Sequence, residues 1–184
     1  MATATSLMTA EEYVAQPEYH GYPTELVKGL LITMAPSMPR PGQICARASY
    51  LLRWDLDDHD LGQVLTNDSG VVTERDPDTV RGADVAYYSY QRVPKGPLPS
   101  GLLSVAPELV FEVRSPNERW SKVHVKVAEY LNVSVQVVCV IDDDTRSVHV
   151  FHADREPQIL TEEDEFALPE ILADFRVKVR RFFE

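Results

Sequence analysis

The stretch "PELVFEVRSPNERWSKVHVKVAEYLNVSVQVVCVID", Pro107–Asp142, decides how the chain is read. "ELVFEVR" is a tight apolar run with strand character, ended by Ser115-Pro116. "WSKVHVKVAEYL" switches to helical spacing, with Val123, Val127, Tyr130 and Leu131 on one face. "VQVVCVI" is a continuous run rich in β-branched residues, the pattern of a central strand covered on both faces. Inside the first strand sits a carboxylate, Glu112. Strand alternation puts Val110, Glu112 and Arg114 on one face, and Leu109, Phe111 and Val113 on the other. An acid there is costly unless it is paired, hydrogen-bonded or bound to a metal.

Outward from this stretch the elements alternate. "TAEE" at Thr9–Glu12 is a capping box that predicts a short helix to about Gln16. "TELVKGLLITM" predicts a hairpin turning at Lys28-Gly29. "SMPRPGQ" reads as a loop, and "ICARASYLLRWDLDDHD" as a helix with Ile44, Ala48, Leu51 and Leu52 inward. "QVLTN" and "GVVTE" read as two short strands, followed by the valine- and tyrosine-rich "GADVAYYSY". "RVPKGPLPSGLLSVAP" reads as a long surface loop, because its prolines and glycines break both periodicities. Past the central strand, "DDDTR" is a turn and "SVHVFHA" its hairpin return. The tail alternates short strands with a Pro-led element, "LPEILADF". No repeat or linker divides the chain. The expectation is one mixed α/β (α+β) domain over residues 1–184, built around a central sheet.

Composition narrows the function classes. The 184 residues are 44% hydrophobic and 26% charged, ordinary for a soluble globular protein. No apolar run approaches the roughly 18 residues of a membrane helix. "MATATSLMTAEEY" shows no basic region followed by an apolar core. Cys45 and Cys139 lie far apart in apolar contexts, which suits buried thiols in a reducing compartment. These features predict a cytoplasmic protein without a membrane partner. A net charge of −11 argues against a broad basic face for duplex nucleic acid. A local basic cleft or a metal site stays open.

Asp84, in "GADVAYY", and Glu112 are the candidate pair. Two carboxylates on neighbouring strands could hold Mg²⁺, with a backbone carbonyl such as that of Val113 and waters completing the shell. Lys126 lies three residues after Val123 and four before Tyr130, so it borders the buried face. It could orient a water or offset phosphate charge. Lys122 stands one turn earlier on the same side. Each residue also has a plainer reading. Asp84 alone suits a turn or cap, Glu112 a salt bridge to Arg114 or a lysine, and Lys126 a solvated surface. Glu25 alone suits a hairpin cap or a pair with Lys28. His149 and His152 point to opposite faces and make a poor metal pair. Ser115 has no histidine placed to activate it.

Taken in order, "MTAEEYVAQ", "TELVKGLLITMAP", "ADVAYY", "PELVFEVRSP", "KVAEYLNVSVQVVCVID", "TRSVHVFHAD" and "LPEILADFRVKVRRFF" resemble the restriction endonuclease family of the Uma-two type. That family is a divergent branch of the PD-(D/E)XK nuclease superfamily. The resemblance implies a restriction-endonuclease-like core, with a central mixed β-sheet flanked by helices and preceded by an N-terminal helix and β-hairpin. It implies Mg²⁺-dependent hydrolysis of phosphodiester bonds, with Mn²⁺ as a substitute and DNA as the nucleic-acid partner. Asp84 matches the superfamily's metal-binding aspartate and Glu112 the acid of its E-x-K half. Glu25 matches an acidic position on the opening hairpin, and Lys126 a helical lysine that replaces the one missing from the strand. Arg114 holds the third E-x-K position. Arginine stays protonated, so it can offset phosphate charge but cannot act as a base. The chain also departs from the family at Ala83, Leu30 and Gln43. A homodimer is plausible, since nucleases often cut two strands with a symmetric pair. The alternative is a nuclease-fold protein that has lost hydrolysis and serves as a nucleic-acid-binding or dimerisation module. Net acidity and Arg114 favour that alternative.

Overall fold

The computed structural model describes residues 7–16 and 23–184. The first six residues, part of the segment read as lacking a leader, lie outside the description. Thr9 caps helix α1 (Ala10–Val14), accepting from the Glu12 N–H while the Glu12 side chain accepts from the Thr9 N–H. The helix stops two residues short of the expected end. Strands β1 (Thr24–Val27) and β2 (Leu30–Thr33) form the hairpin, and Lys28 and Gly29 turn it with φ of 51° and 73°. Two successive positive φ values match the right-handed twist of the flanking strands.

Helix α2 spans Pro39–His59, so Pro39–Gln43 is helical rather than loop. Both prolines fall in its first turn, where backbone N–H groups have no intrahelical acceptor and proline removes nothing. Strand β3 (Gly62–Glu74) is continuous where two strands were expected. Asn67 and Asp68 take φ of 66° and 53° and form a bulge against β4 (Thr79–Ser89) without ending the strand. Then follow β5 (Leu109–Arg114), α3 (Trp120–Asn132), β6 (Val137–Asp142), β7 (Ser147–Phe151) and β8 (Gln158–Thr161). Arg119 is the N-cap of α3, and it makes no side-chain capping bond. The Pro-led tail segment folds as a turn joining β9 (Glu165–Leu168) to β10 (Leu172–Lys178), closed by a 3₁₀ turn at Val179–Phe182.

The main sheet runs β2-β1-β4-β5-β6-β7-β8, with β3 also paired to β4. Its pairs are antiparallel except β5–β6, which is parallel and therefore needs the crossover that α3 supplies. The sheet is thus mixed. Helix α2 covers one face through Ile44, Leu51 and Leu52 against Phe111, Cys139 and Ile141. Helix α3 covers the other through Val123, Val127 and Tyr130 against Val110, Val138 and Val140. Strand β6 is buried at all six positions, as its unbroken apolar run requires. Each such apolar side chain contributes roughly 1.5–3 kcal/mol on burial.

Candidate active site

The site begins with a fork in the sheet. Strand β3 pairs with β4 from Thr79 to Ser89 and so occupies one whole edge. Strands β1 and β5 must share the other edge. β1 pairs at Leu26–Val80, and β5 pairs from Val85–Phe111 to Tyr87–Leu109. Between these anchor points the two strands part from β4. Backbone donors left by the gap need acceptors. The Gly82 N–H donates to Glu25 Oε1 at 3.3 Å, and the Val113 N–H donates to Asp84 Oδ2 at 2.6 Å. A strand residue's N–H and C=O share one edge, so the Val113 carbonyl also faces the fork.

Each arm of the fork therefore carries one acid: Glu25 on β1, Asp84 on β4 and Glu112 on β5. Helix α3 closes over them. The Lys126 ammonium lies 3.2 Å from Glu25 Oε1 and 3.3 Å from Glu112 Oε2. The Tyr130 hydroxyl donates to Glu112 Oε1 at 2.8 Å. Arg81, two residues after the β1 contact's neighbour Thr79, donates to Glu25 Oε2 at 2.8 Å and grips Glu129 of α3 with Nε and a terminal nitrogen. Glu25, Arg81, Glu112 and Glu129 are all buried. With Asp84, four carboxyl groups share two cations. Charge buried in that imbalance is costly.

The titration of these groups records the cost. Burial, and then the charge of Glu112, push the Asp84 carboxyl up to about 8. Burial raises Glu112 against the pull of Lys126 and Tyr130. The Glu112 charge, followed by Glu25, raises Lys126 against its burial, so it stays an ammonium. Asp68, on the β3 bulge, is also raised by burial. It lies against Gly82, where a Cβ would come within 2.8 Å of the Asp68 Cβ. The Cys45 thiol of α2 is raised by burial and then by Asp84, so it stays protonated near neutral pH.

The donor chemistry fits a hard divalent cation. The fork presents carboxylate and carbonyl oxygens with negative charge in excess, and the Val113 N–H engages one of the two Asp84 oxygens, Oδ2. Both Glu112 oxygens are already engaged, by Tyr130 and Lys126. Among the described residues, no three acid, histidine or cysteine side chains converge closely enough to hold an ion unaided.

The structure thus brings together Glu25, Asp84, Glu112, Val113 and Lys126. It does not bring Arg114 to them. The register Arg114–Asp142 turns that guanidinium away to the C-terminal end of the strand, where Nε donates to Asp142 at 3.0 Å and a terminal nitrogen donates to the Glu118 carbonyl at 3.0 Å. Asp144 takes a further bond, and Trp120 lies 5.6 Å beneath. Lys122 is exposed. Glu25 pairs with Arg81 and Lys126, not with Lys28. His149 packs at a tilt against Trp120 while His152 bonds Glu170, so they form no pair. Sequence reasoning missed Arg81, Glu129, Asp68 and the hydroxyl role of Tyr130. Glu129 had a signal, since it follows Lys126 by three residues on one helix flank. So did Arg81, a cation inside an apolar strand.

Among the described residues, no helix is long and apolar enough to cross a membrane. A model of the Uma2 family, described as "Putative restriction endonuclease", matches residues 10–180. The fold is similar to the crystal structure of "a putative nuclease belonging to DUF820" from Anabaena variabilis ATCC 29413. The TM-score is 0.82 at 17% identity, over 96% of this chain and 97% of that one. No curated protein sequence matches the chain. The family match spans every arm of the fork and the helix that closes it, and the chain belongs to the Uma2 family of restriction-endonuclease-like proteins.

Proposed function

We propose that the chain is a Mg²⁺-dependent endonuclease that hydrolyses phosphodiester bonds of DNA, with Mn²⁺ able to substitute. The observation that carries this reading is the meeting of Glu25, Asp84 and Glu112, from three different strands, around one lysine. Asp84, Glu112 and the Val113 carbonyl would hold the ion. When bound, such an ion polarises the phosphoryl oxygen and lowers the pKa of a bound water.

The chain's own residues do the rest. The Val113 N–H fixes one oxygen of Asp84. The Tyr130 hydroxyl fixes Glu112, and Arg81 turns Glu25 so that its second oxygen meets Lys126. Lys126 stays charged, so it serves by offsetting developing phosphate charge and orienting a water, not by taking a proton. Arg114, bound to two aspartates and a carbonyl, assists by anchoring the strand end next to the site. In this reading the protein is one cytoplasmic domain, and two copies form the symmetric pair suited to cutting both strands.

The second reading, a nucleic-acid-binding or dimerisation module without hydrolysis, draws support from the full engagement of both Glu112 oxygens. Titrating Mg²⁺ and Mn²⁺ against single- and double-stranded DNA tests the first reading. Wild type should cleave, while Asp84→Ala and Glu112→Ala should not. Equal activity in all three proteins would sink it, and binding of DNA without cleavage would favour the module.

A further inference from the structure

Helix α2 turns Ile44, Ala48, Leu51, Leu52 and Leu56 into the core. Its outer side carries Trp54 at 66% exposure and Tyr50 at 47%, their rings 6.0 Å apart. Solvated aromatics of this size are uncommon and are typical of contact surfaces. Arg47 extends the stripe, its guanidinium 5.8 Å from the Tyr50 ring, and Asp57 continues it. The positions 47, 50, 54 and 57 recur at intervals of three, four and three, the spacing of a helix–helix seam.

The stripe is also its own complement when reversed. Arg47 and Asp57 lie five residues either side of Leu52, and Tyr50 and Trp54 lie two residues either side. An isologous contact demands this relation, because residue i of one copy must fit residue j of the other and the reverse. We propose that α2 packs antiparallel on α2 of a second copy, about a two-fold axis at the level of Leu52. Tyr50 then meets the partner's Trp54, and Arg47 meets the partner's Asp57. Charge selects this arrangement over a parallel one. The cation Arg47 begins the stripe, on the N-terminal side of Leu52, and the acid Asp57 ends it, on the C-terminal side. Antiparallel packing brings opposite signs together; parallel packing brings like signs together. Arg47 already donates Nε and one terminal nitrogen to the Glu184 carbonyl at 3.1 and 3.0 Å, which orients the guanidinium and leaves its other nitrogen for an acid. The exposed Arg53–Asp57 contact within the helix is 3.9 Å long and too weak to compete. Two aromatics per copy suit a small, reversible interface rather than an obligate one.

Sedimentation velocity over a range of concentrations tests the contact on the full chain. Wild type should pass from monomer to dimer, and Trp54→Ala should weaken the dimer by at least about tenfold. Arg47→Asp and Asp57→Arg should each weaken it by setting like charges opposite, and the double swap should restore it. Thermal melts of the variants confirm that these surface changes leave the fold intact. A wild type that stays monomeric throughout overturns the proposal. So does a dimer indifferent to these variants, formed for example through the exposed Leu30 and Ile32 of edge strand β2, or a double swap that restores nothing. The readout is independent of cleavage, so a monomeric result removes the symmetric pair and leaves metal-dependent hydrolysis to its own tests.

Discussion

Replacing Asp84 by asparagine should make the protein more stable, by a margin that grows as pH rises from about 4 to about 8. The wild-type carboxyl moves from an ordinary 3.8 to about 8, chiefly through burial and then through the charge of Glu112. Such an acid holds its proton more tightly in the folded chain, so its ionisation opposes folding. The loss begins as pH rises past the unfolded value of 3.8, grows through neutrality and is complete above about 8. At ~1.4 kcal/mol per pKa unit, the full displacement corresponds to on the order of 6 kcal/mol. Asp84 is partly exposed at the fork, and solvent screening lowers this to about 2–3 kcal/mol. Asparagine keeps the shape and an oxygen for the Val113 N–H but cannot ionise. Thermal unfolding from pH 4.5 to 9 in a chelator provides the assay. The variant should melt roughly 5–10 °C above wild type at pH 9, with the gap closing toward pH 4.5. Mg²⁺ should then raise the wild-type melting point and not that of the variant. A gap that ignores pH, or a wild type more stable than the variant at pH 9, would show that Asp84 ionisation does not oppose folding.

Three further substitutions probe the groups around the fork. Lys126→Met leaves Glu25 and Glu112 facing each other without their shared cation; it should cost about 3 kcal/mol in urea unfolding at neutral pH and less in acid, and should abolish cleavage. Arg81→Met strips Glu129 of its cation and Glu25 of one of its two, and should cost about 3–5 kcal/mol, while Arg81→Met combined with Glu129→Met should recover part of the loss. Tyr130→Phe removes one bond to Glu112, costs about 1–2 kcal/mol, and should shift the Mg²⁺ concentration for half-maximal cleavage without eliminating it.

What the sequence made legible was mostly local. The Thr9 capping box, the Lys28-Gly29 turn and the unbroken apolar run of β6 each act within a few residues, and each took its expected form. Glu112 was legible as an acid out of place in an apolar strand, and Lys126 as a lysine on the border of a buried helix face. The departures came from chemistry that cuts both ways. Pro39 and Pro41 read as breakers, yet proline fits the first turn of a helix. A break was expected between "QVLTN" and "GVVTE", yet the tolerance of Asn67 and Asp68 for positive φ serves a bulge in an unbroken strand. The fork itself depends on two strands distant in sequence sharing one edge of β4, and no local pattern encodes that register. The place of Arg114 depends likewise on the parallel register that sets it beside Asp142.

Metal-dependent hydrolysis at the fork requires its acids to form one divalent-cation site. Calorimetric titration of Mg²⁺ into the wild-type chain and into Glu112→Gln, at a pH above the Asp84 value of about 8, measures this most directly. The account predicts saturable binding of one ion per chain in wild type, at least about tenfold weaker in the variant. Absence of binding in wild type, or equal binding in both proteins, would contradict it.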